Sequence, residues 1–166
     1  MTPMSDLARQ LFGDDAPAKR LAVIVDLDET LCTGFDCPVR AGVELLARVD
    51  RARLTVHYVT ARTAVSRDGT EKFIEDHRLP GWRNVHYCPN WQGSPEHKKQ
   101  VHLRLAKEFR VLASIGDYDG EEGEAARAAG VPFVLVDPAR PSAGWATLEA
   151  LLTAAGVVSP PRRDDG

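Results

Sequence analysis

Five short aliphatic runs, Leu21–Val25, Leu54–Val59, Val85–Cys88, Val111–Ile115 and Phe133–Val136, recur along the chain with helical periodicity between them. Short runs rich in Val and Ile suit strands buried on both faces, and neighbouring parallel strands need a crossover between them, usually a helix. The pattern predicts an α/β fold: a three-layer, doubly wound, Rossmann-like sheet of about five parallel strands with helices on both faces. Helices are expected over Val43–Val49, Thr70–His77, Pro95 to about Phe109, Ala125–Ala129 and Trp145–Ala155. Ser94-Pro95-Glu96 reads as an N-cap, a first-turn proline and an early acid, and Gly130 as a helix stop.

Composition bounds the chemistry. The chain has 166 residues, 43% hydrophobic and 27% charged, which suits one compact domain. We expect an N-terminal segment with a short helix (1–20), a catalytic domain (21–156) and a disordered tail (157–166), where SPPRRDDG runs from Ser159 to the end. A net charge of -3 provides no global positive field for nucleic acid or an anionic membrane, so either partner would need a local patch. The longest aliphatic run, Leu21–Val25, is far below the ~18 residues of a membrane span and the ~7–15 of a secretory core, so a cytoplasmic protein with no membrane partner is expected. Cys32, Cys37 and Cys88 are odd in number and fit neither zinc-ligand nor disulfide spacing; they read as reduced thiols.

The residues that end the strands carry the chemistry. Asp26 and Asp28 follow the first run, Thr60 closes the second, and Gly116-Asp117 follows the fourth. Open α/β sheets bind ligands outside the carboxyl ends of their strands, so these groups should converge on one rim. Asp26 and Asp28, two apart in an extended segment, would point the same way. Held together in a desolvated crevice, they repel unless a cation sits between them. Mg²⁺ is a hard cation that typically takes one or two carboxylates plus water and phosphate oxygens, and Asp117 offers a further oxygen. A single Asp after a strand more often turns the chain or caps a helix, but a turn requires neither a second acid nor matching polar ends on other strands.

VIVDLDET from Val23 to Thr30, the strand Val56-His57-Tyr58-Val59-Thr60 followed by Ala61-Arg62, a lysine at a helix start, and Gly116-Asp117 with a second acid beyond it resemble, in order, the four motifs of the haloacid dehalogenase superfamily. The resemblance runs from about Leu21 to Pro138 and implies a Mg²⁺-dependent phosphomonoester hydrolase. It makes Asp26 the nucleophile that becomes an aspartyl phosphate and Asp28 the general acid and base. It makes Thr60 a hydrogen-bond donor to the phosphate, and Thr30, Ala61 and Arg62 substrate-binding residues. Asp26, Asp28 and Asp117 would hold the metal. The family's second acid of the last motif is Asp, whereas this chain has Glu. Counting on from Asp117 selects Glu121 and counting back from Ala125 selects Glu122, and both could instead complement a helix N-terminus. Of the adjacent lysines, Lys98 aligns with Val101, Leu105 and Phe109 on the core-facing stripe, so Lys98 is taken as the catalytic lysine and Lys99 as a surface charge.

Between Thr30 and Thr60 there is room for a flap and one helix, and between Thr60 and Lys98 for a helix, a strand and a loop. A core without a large cap is expected, open to bulky substrates or covered by another subunit. The segment from Arg62 to Lys98 also carries Arg67, Lys72, Arg78, Arg83, Trp82 and Trp91, and its stretch Thr70–Pro80 resembles the corresponding region in the 3′-phosphatase domain of polynucleotide kinase as well as in capless acid phosphatases. A nucleic-acid 3′-end phosphatase is therefore a second reading. A non-catalytic phosphoacceptor or phosphate-binding module is a third; receiver modules, however, place the accepting Asp after the third strand, and here it follows the first. His57 and His86 read as packed residues, and His97 and His102 form no metal pair, so no histidine is assigned to catalysis.

Overall fold

Each aliphatic run becomes a strand of one parallel sheet. The computed structural model describes residues 18–162; residues 1–17, with the expected short helix, and residues 163–166 of the tail lie outside the described residues. β1 (Leu21–Val25) is central, and the sheet order is β5-β4-β1-β6-β7, with β4 at Leu54–Val59, β5 at Val85–His86, β6 at Arg110–Gly116 and β7 at Phe133–Leu135. Leu21 lies opposite Leu54 on one side and Arg110 on the other.

Strand alternation splits the core in two. Val23, Val25, Val56 and Tyr58 face a layer formed by α1 (Arg40–Ala47), α2 (Arg67–Asp76) and α5 (Pro141–Ala154), which contribute Leu45, Leu46, Phe73, Ile74, Trp145, Leu148 and Leu152. Ile24 and Val59 face Val101 and Leu105 of α3 (Ser94–Glu108), which packs against α4 (Glu124–Ala128). The connection after β1 holds an antiparallel hairpin, β2 (Cys32–Thr33) and β3 (Cys37–Pro38), followed by α1. Among the described residues no large cap is evident.

Two local expectations change. Ser94 does not cap α3: the N-cap is Gly93, and the Ser94 hydroxyl donates instead to Glu121 Oε2 at 3.1 Å. The packed body also runs past residue 156. Val157 is fully buried, Val158 bridges Val49, and the Ser159 amide donates to Arg48 O, because the turn ending α5 returns the chain to the apolar floor under α1.

Four histidines gather on the α3 face. His102 Nδ1 lies 2.7 Å from Lys98 O and its Nε2 2.8 Å from Ser114 Oγ; a carbonyl only accepts, so Nδ1 carries the proton and Nε2 accepts from the serine. Arg104 donates to His86 Nδ1 at 3.1 Å, so His86 Nε2–H donates to His57 Nδ1, also at 3.1 Å. This leaves His57 Nε2–H as a buried donor without a partner among the described residues. His97 Nε2 donates to His86 O. Burial pulls His57, His86 and His102 each down to about 4. The unfolded chain therefore takes up protons near pH 6.5 that the folded chain refuses until about pH 4. The histidines' contribution to stability is full above about pH 6.5 and falls as pH drops through that window, by on the order of 3 kcal/mol for His102 alone at the acid limit. Urea unfolding at a series of pH values measures this, with His102→Gln flattening the slope; equal slopes for both proteins contradict it.

Candidate active site

Parallel pairing puts the carboxyl ends of β4, β1 and β6 side by side, so Thr60, Asp26 and Asp117 sit on adjacent strand ends. The Asp26 amide is held by Ile115 O and the Thr60 amide by His86 O, which continues the ladder one residue past the strands. Carboxylate oxygens of Asp26, Asp117 and Glu122 all lie within 4.8 Å of one another. Lys98, 3% exposed, reaches into this group from the first turns of α3. Its Nζ lies 3.3 Å from Asp26 Oδ1, contacts Glu122 Oε1, and is 3.5 Å from Glu121 Oε2. Lys99, one position on, is exposed.

The structure separates the two glutamates. After Tyr118 the chain makes a π-helical turn, Asp119–Gly123, in which the amides of Glu121, Glu122 and Gly123 all point at Tyr118 O. Glu122 folds back over Gly116 into the group, where the Tyr118 amide donates to its Oε2 at 3.2 Å. A Cβ on Gly116 would fall 2.7 Å from Glu122 Cγ, so the glycine is what makes room. Glu121 lies at the edge, bound to Ser94 and Lys98.

Asp28 is not brought to this group. β1 ends at Val25, Glu29 adopts φ 61°, and the amides of Thr30, Leu31 and Cys32 all turn onto Leu27 O. Leu27 is buried and Asp28 is exposed, so the alternation expected of an extended segment fails at the turn. The Asp28 carboxylate accepts from Arg62 Nε at 3.0 Å and Nη2 at 2.7 Å. Arg62 also donates to Asp36 Oδ1 of the hairpin at 2.6 Å and to Thr70 Oγ1 of α2 at 2.9 Å, so each of its three side-chain nitrogens has a protein partner. Nearby, burial pushes the Cys32 thiol up to about 12, an unreactive thiol.

Thr30 is buried rather than open to a substrate. Its hydroxyl lies 3.1 Å from Asp26 Oδ2 and 3.4 Å from Asp117 Oδ1, and its carbonyl accepts from Trp145 Nε1 at 3.1 Å. Thr60 is buried with its hydroxyl accepting the Arg62 amide at 3.0 Å, and Ala61 is exposed at the rim. Trp145, Asp36, Thr70 and Ser94 were not visible as site residues in the sequence. They are partners of partners, supplied from distant segments, and carry no local motif.

Burial pushes the Asp26 carboxyl well above the usual carboxylate range against the pull of Lys98, with Glu122 pushing it further up. Burial lowers Lys98, but the Asp26 and Glu122 carboxylates outweigh it and keep the ammonium charged. Three carboxylates against one ammonium leave negative charge uncompensated in a partly buried site. An all-oxygen donor set of that kind fits a hard divalent cation.

The cations between Arg62 and Lys98 do not form one patch. Arg67 lies over the Tyr87 ring on the carboxyl side of the sheet, whereas Arg83 stacks on Trp82 in the turn entering β5, at the opposite end. Three exposed aromatics lie in the segments that follow strands at the carboxyl side of the sheet: Phe35 between β2 and β3, Trp91 between β5 and α3, and Tyr118 next to Asp117 after β6.

Neither a protein-family model nor a curated protein matches the sequence. Solved structures do. A chain of the Pnkp1/Rnl/Hen1 RNA repair complex matches with TM-score 0.61 at 18% identity, over 74% of this chain and 44% of its own. A second structure of the Pnkp1/Rnl/Hen1 complex gives 0.62 at 18%, over 74% and 48%. The class C acid phosphatase from Bacillus anthracis with tungstate bound matches at 0.53 and 12%, over 95% of this chain and 87% of that one. The chain thus spans less than half the length of the RNA-repair chains. At these identities the likeness is one of fold.

Proposed function

We propose that this chain, whose fold is that of the haloacid dehalogenase-type phosphatases, hydrolyses phosphate monoesters through a transient aspartyl phosphate on Asp26. The observation that carries this reading is the meeting of Asp26, Asp117 and Glu122 with one buried ammonium, Lys98, at the carboxyl edge of the sheet. Asp26, Asp117 and Glu122 would hold Mg²⁺, which supplies the positive charge that lets a phosphate dianion approach carboxylates and polarises its oxygens. An Asp26 oxygen attacks phosphorus as the bond to the leaving oxygen breaks, and Asp28, which rests as a carboxylate in its pair with Arg62 and would first take a proton from solvent, gives that proton to the leaving oxygen so that the alcohol departs. Asp28, then a carboxylate, takes a proton from water, and the water oxygen attacks phosphorus and breaks its bond to Asp26. Inorganic phosphate leaves, Asp26 is again a carboxylate, and Asp28 returns its proton to solvent and re-forms its pair with Arg62. The Arg62 pair keeps Asp28 at the mouth of the site, and Lys98 offsets charge at the nucleophile.

The expected result is hydrolysis of p-nitrophenyl phosphate in MgCl2, lost in excess EDTA and restored by added Mg²⁺. EDTA-resistant turnover, or no turnover across nucleotides, sugar phosphates, phosphopeptides and 3′-phosphorylated DNA and RNA, would overturn the reading. The nucleic-acid end is a second reading because Phe35, Trp91 and Tyr118 are exposed in segments that follow strands at the carboxyl side of the sheet and could stack bases. It requires 3′-phosphorylated oligonucleotides to lead that panel. Mg²⁺-dependent phosphate binding without turnover would favour a non-catalytic module.

A further inference from the structure

We propose that Trp145, on the last helix, is a positioning residue for the nucleophile: its indole N–H fixes the Thr30 carbonyl, and through Thr30 the placement of the Asp26 and Asp117 carboxylates relative to each other. The proposal rests on the phosphatase reading for its activity readout and on geometry for the rest.

The turn after Asp26 is poorly determined by its own backbone. Three consecutive amides, those of Thr30, Leu31 and Cys32, share the Leu27 carbonyl at 3.2, 2.9 and 3.1 Å, although a carbonyl has only two lone pairs, and Glu29 sits at φ 61°. Thr30 O takes no part in that cluster. Its partner is Trp145 Nε1, at 3.1 Å, from a residue more than a hundred positions away and 1% exposed. The ring cannot shift to release it. A Cβ on Gly42 would stand 2.6 Å from Trp145 Cε2 and Cζ2 and 2.9 Å from Leu31 Cδ1, so the α1 backbone packs closely against the indole. On the other side of the same residue, Thr30 Oγ1 lies within 3.4 Å of both acids that begin the metal-binding set. One hydroxyl proton serves two carboxylates from a fixed point, and Trp145 is what fixes that point. A buried carbonyl deprived of its donor re-orients toward another, and the hydroxyl moves with it.

Trp145→Phe keeps an apolar ring and removes the donor. The expected result is a roughly tenfold fall in kcat for p-nitrophenyl phosphate with KM changed less than about twofold, the size of one buried hydrogen bond. The rise in unfolding midpoint produced by MgCl2 should also shrink. Leu152→Ala opens a cavity in the same helix without touching Thr30; it should lower the unfolding midpoint and leave both kcat and the Mg²⁺-induced rise as in the wild type. If Trp145→Phe fails to fold, benzothienylalanine at position 145, with sulfur in place of the N–H, keeps the ring shape and should give the same kcat loss. Wild-type kcat and Mg²⁺ response in a folded variant lacking the N–H overturn the proposal, as does a Leu152→Ala protein that reproduces both losses. A wild type without phosphatase activity sinks the functional reading alone, since the Mg²⁺-induced rise still compares the variants. A wild type lacking both activity and Mg²⁺ response overturns both.

Discussion

Asp26→Asn lowers turnover by at least about a thousandfold while the protein remains folded and, without metal, becomes no less stable. The activity loss follows from removing the carboxylate proposed to form the acyl phosphate, because an amide oxygen is a far weaker nucleophile and cannot return to a carboxylate after hydrolysis. The stability expectation comes from crowding. Asp26 is 4% exposed and shares its surroundings with Glu122 and Asp117, so burial and like charge already disfavour its ionised form. Asn can still accept from Lys98 on one side and donate to the Thr30 hydroxyl on the other, since that hydroxyl can pass its own proton to Asp117. Steady-state turnover with thermal unfolding in the same buffer checks both halves. An Asp26→Asn protein at full activity contradicts the mechanism, and one that unfolds contradicts the crowding argument.

Lys98→Met has the opposite profile and damages both activity and fold. Removing the ammonium leaves Asp26 and Glu122 buried without their cation, and breaking a buried pair from one side typically costs about 3–5 kcal/mol. Turnover is expected to be lost as well, because among the described residues no other buried Lys or Arg stands beside Asp26. Adding Glu122→Gln to Lys98→Met removes one of the stranded carboxylates. The double variant should therefore regain part of the lost stability, a positive coupling between neighbours, without regaining activity. Urea unfolding of the two single variants and the double gives the coupling directly, and additive losses would show that the contact contributes nothing to the fold.

The sheet was legible because its strands are written in β-branched residues bounded by polar ends, and Leu21–Val25 and Leu54–Val59 appear in the structure with those bounds. Lys98 was separable from Lys99 because α3 is regular, so phase along the helix translates into direction. Phase failed elsewhere for identifiable reasons. Glu121 and Glu122 could not be told apart because the π-helical turn at Asp119–Gly123 inserts a residue, and a count made from either side then runs out of register. Asp28 was expected beside Asp26 on strand alternation, but the strand had already ended and Glu29 turned the chain. Ser94 looked like a helix cap, and its hydroxyl was taken by Glu121, a residue from another segment that local sequence does not announce. Trp145 lies at the far limit of this problem: its link to Thr30 depends on how two helices and a turn pack.

Glu122 lies directly over Gly116, with its Cγ 2.7 Å from where a side chain on that glycine would begin. The two positions form an epistatic pair. A lineage that lengthens the acid at 122 is committed to a bare backbone at 116, and one that places a methyl at 116 must first retract the acid. Redesign of this edge with a shorter carboxylate would gain a free position six residues upstream, and grafting the glutamate alone onto another scaffold would fail for want of the gap beneath it.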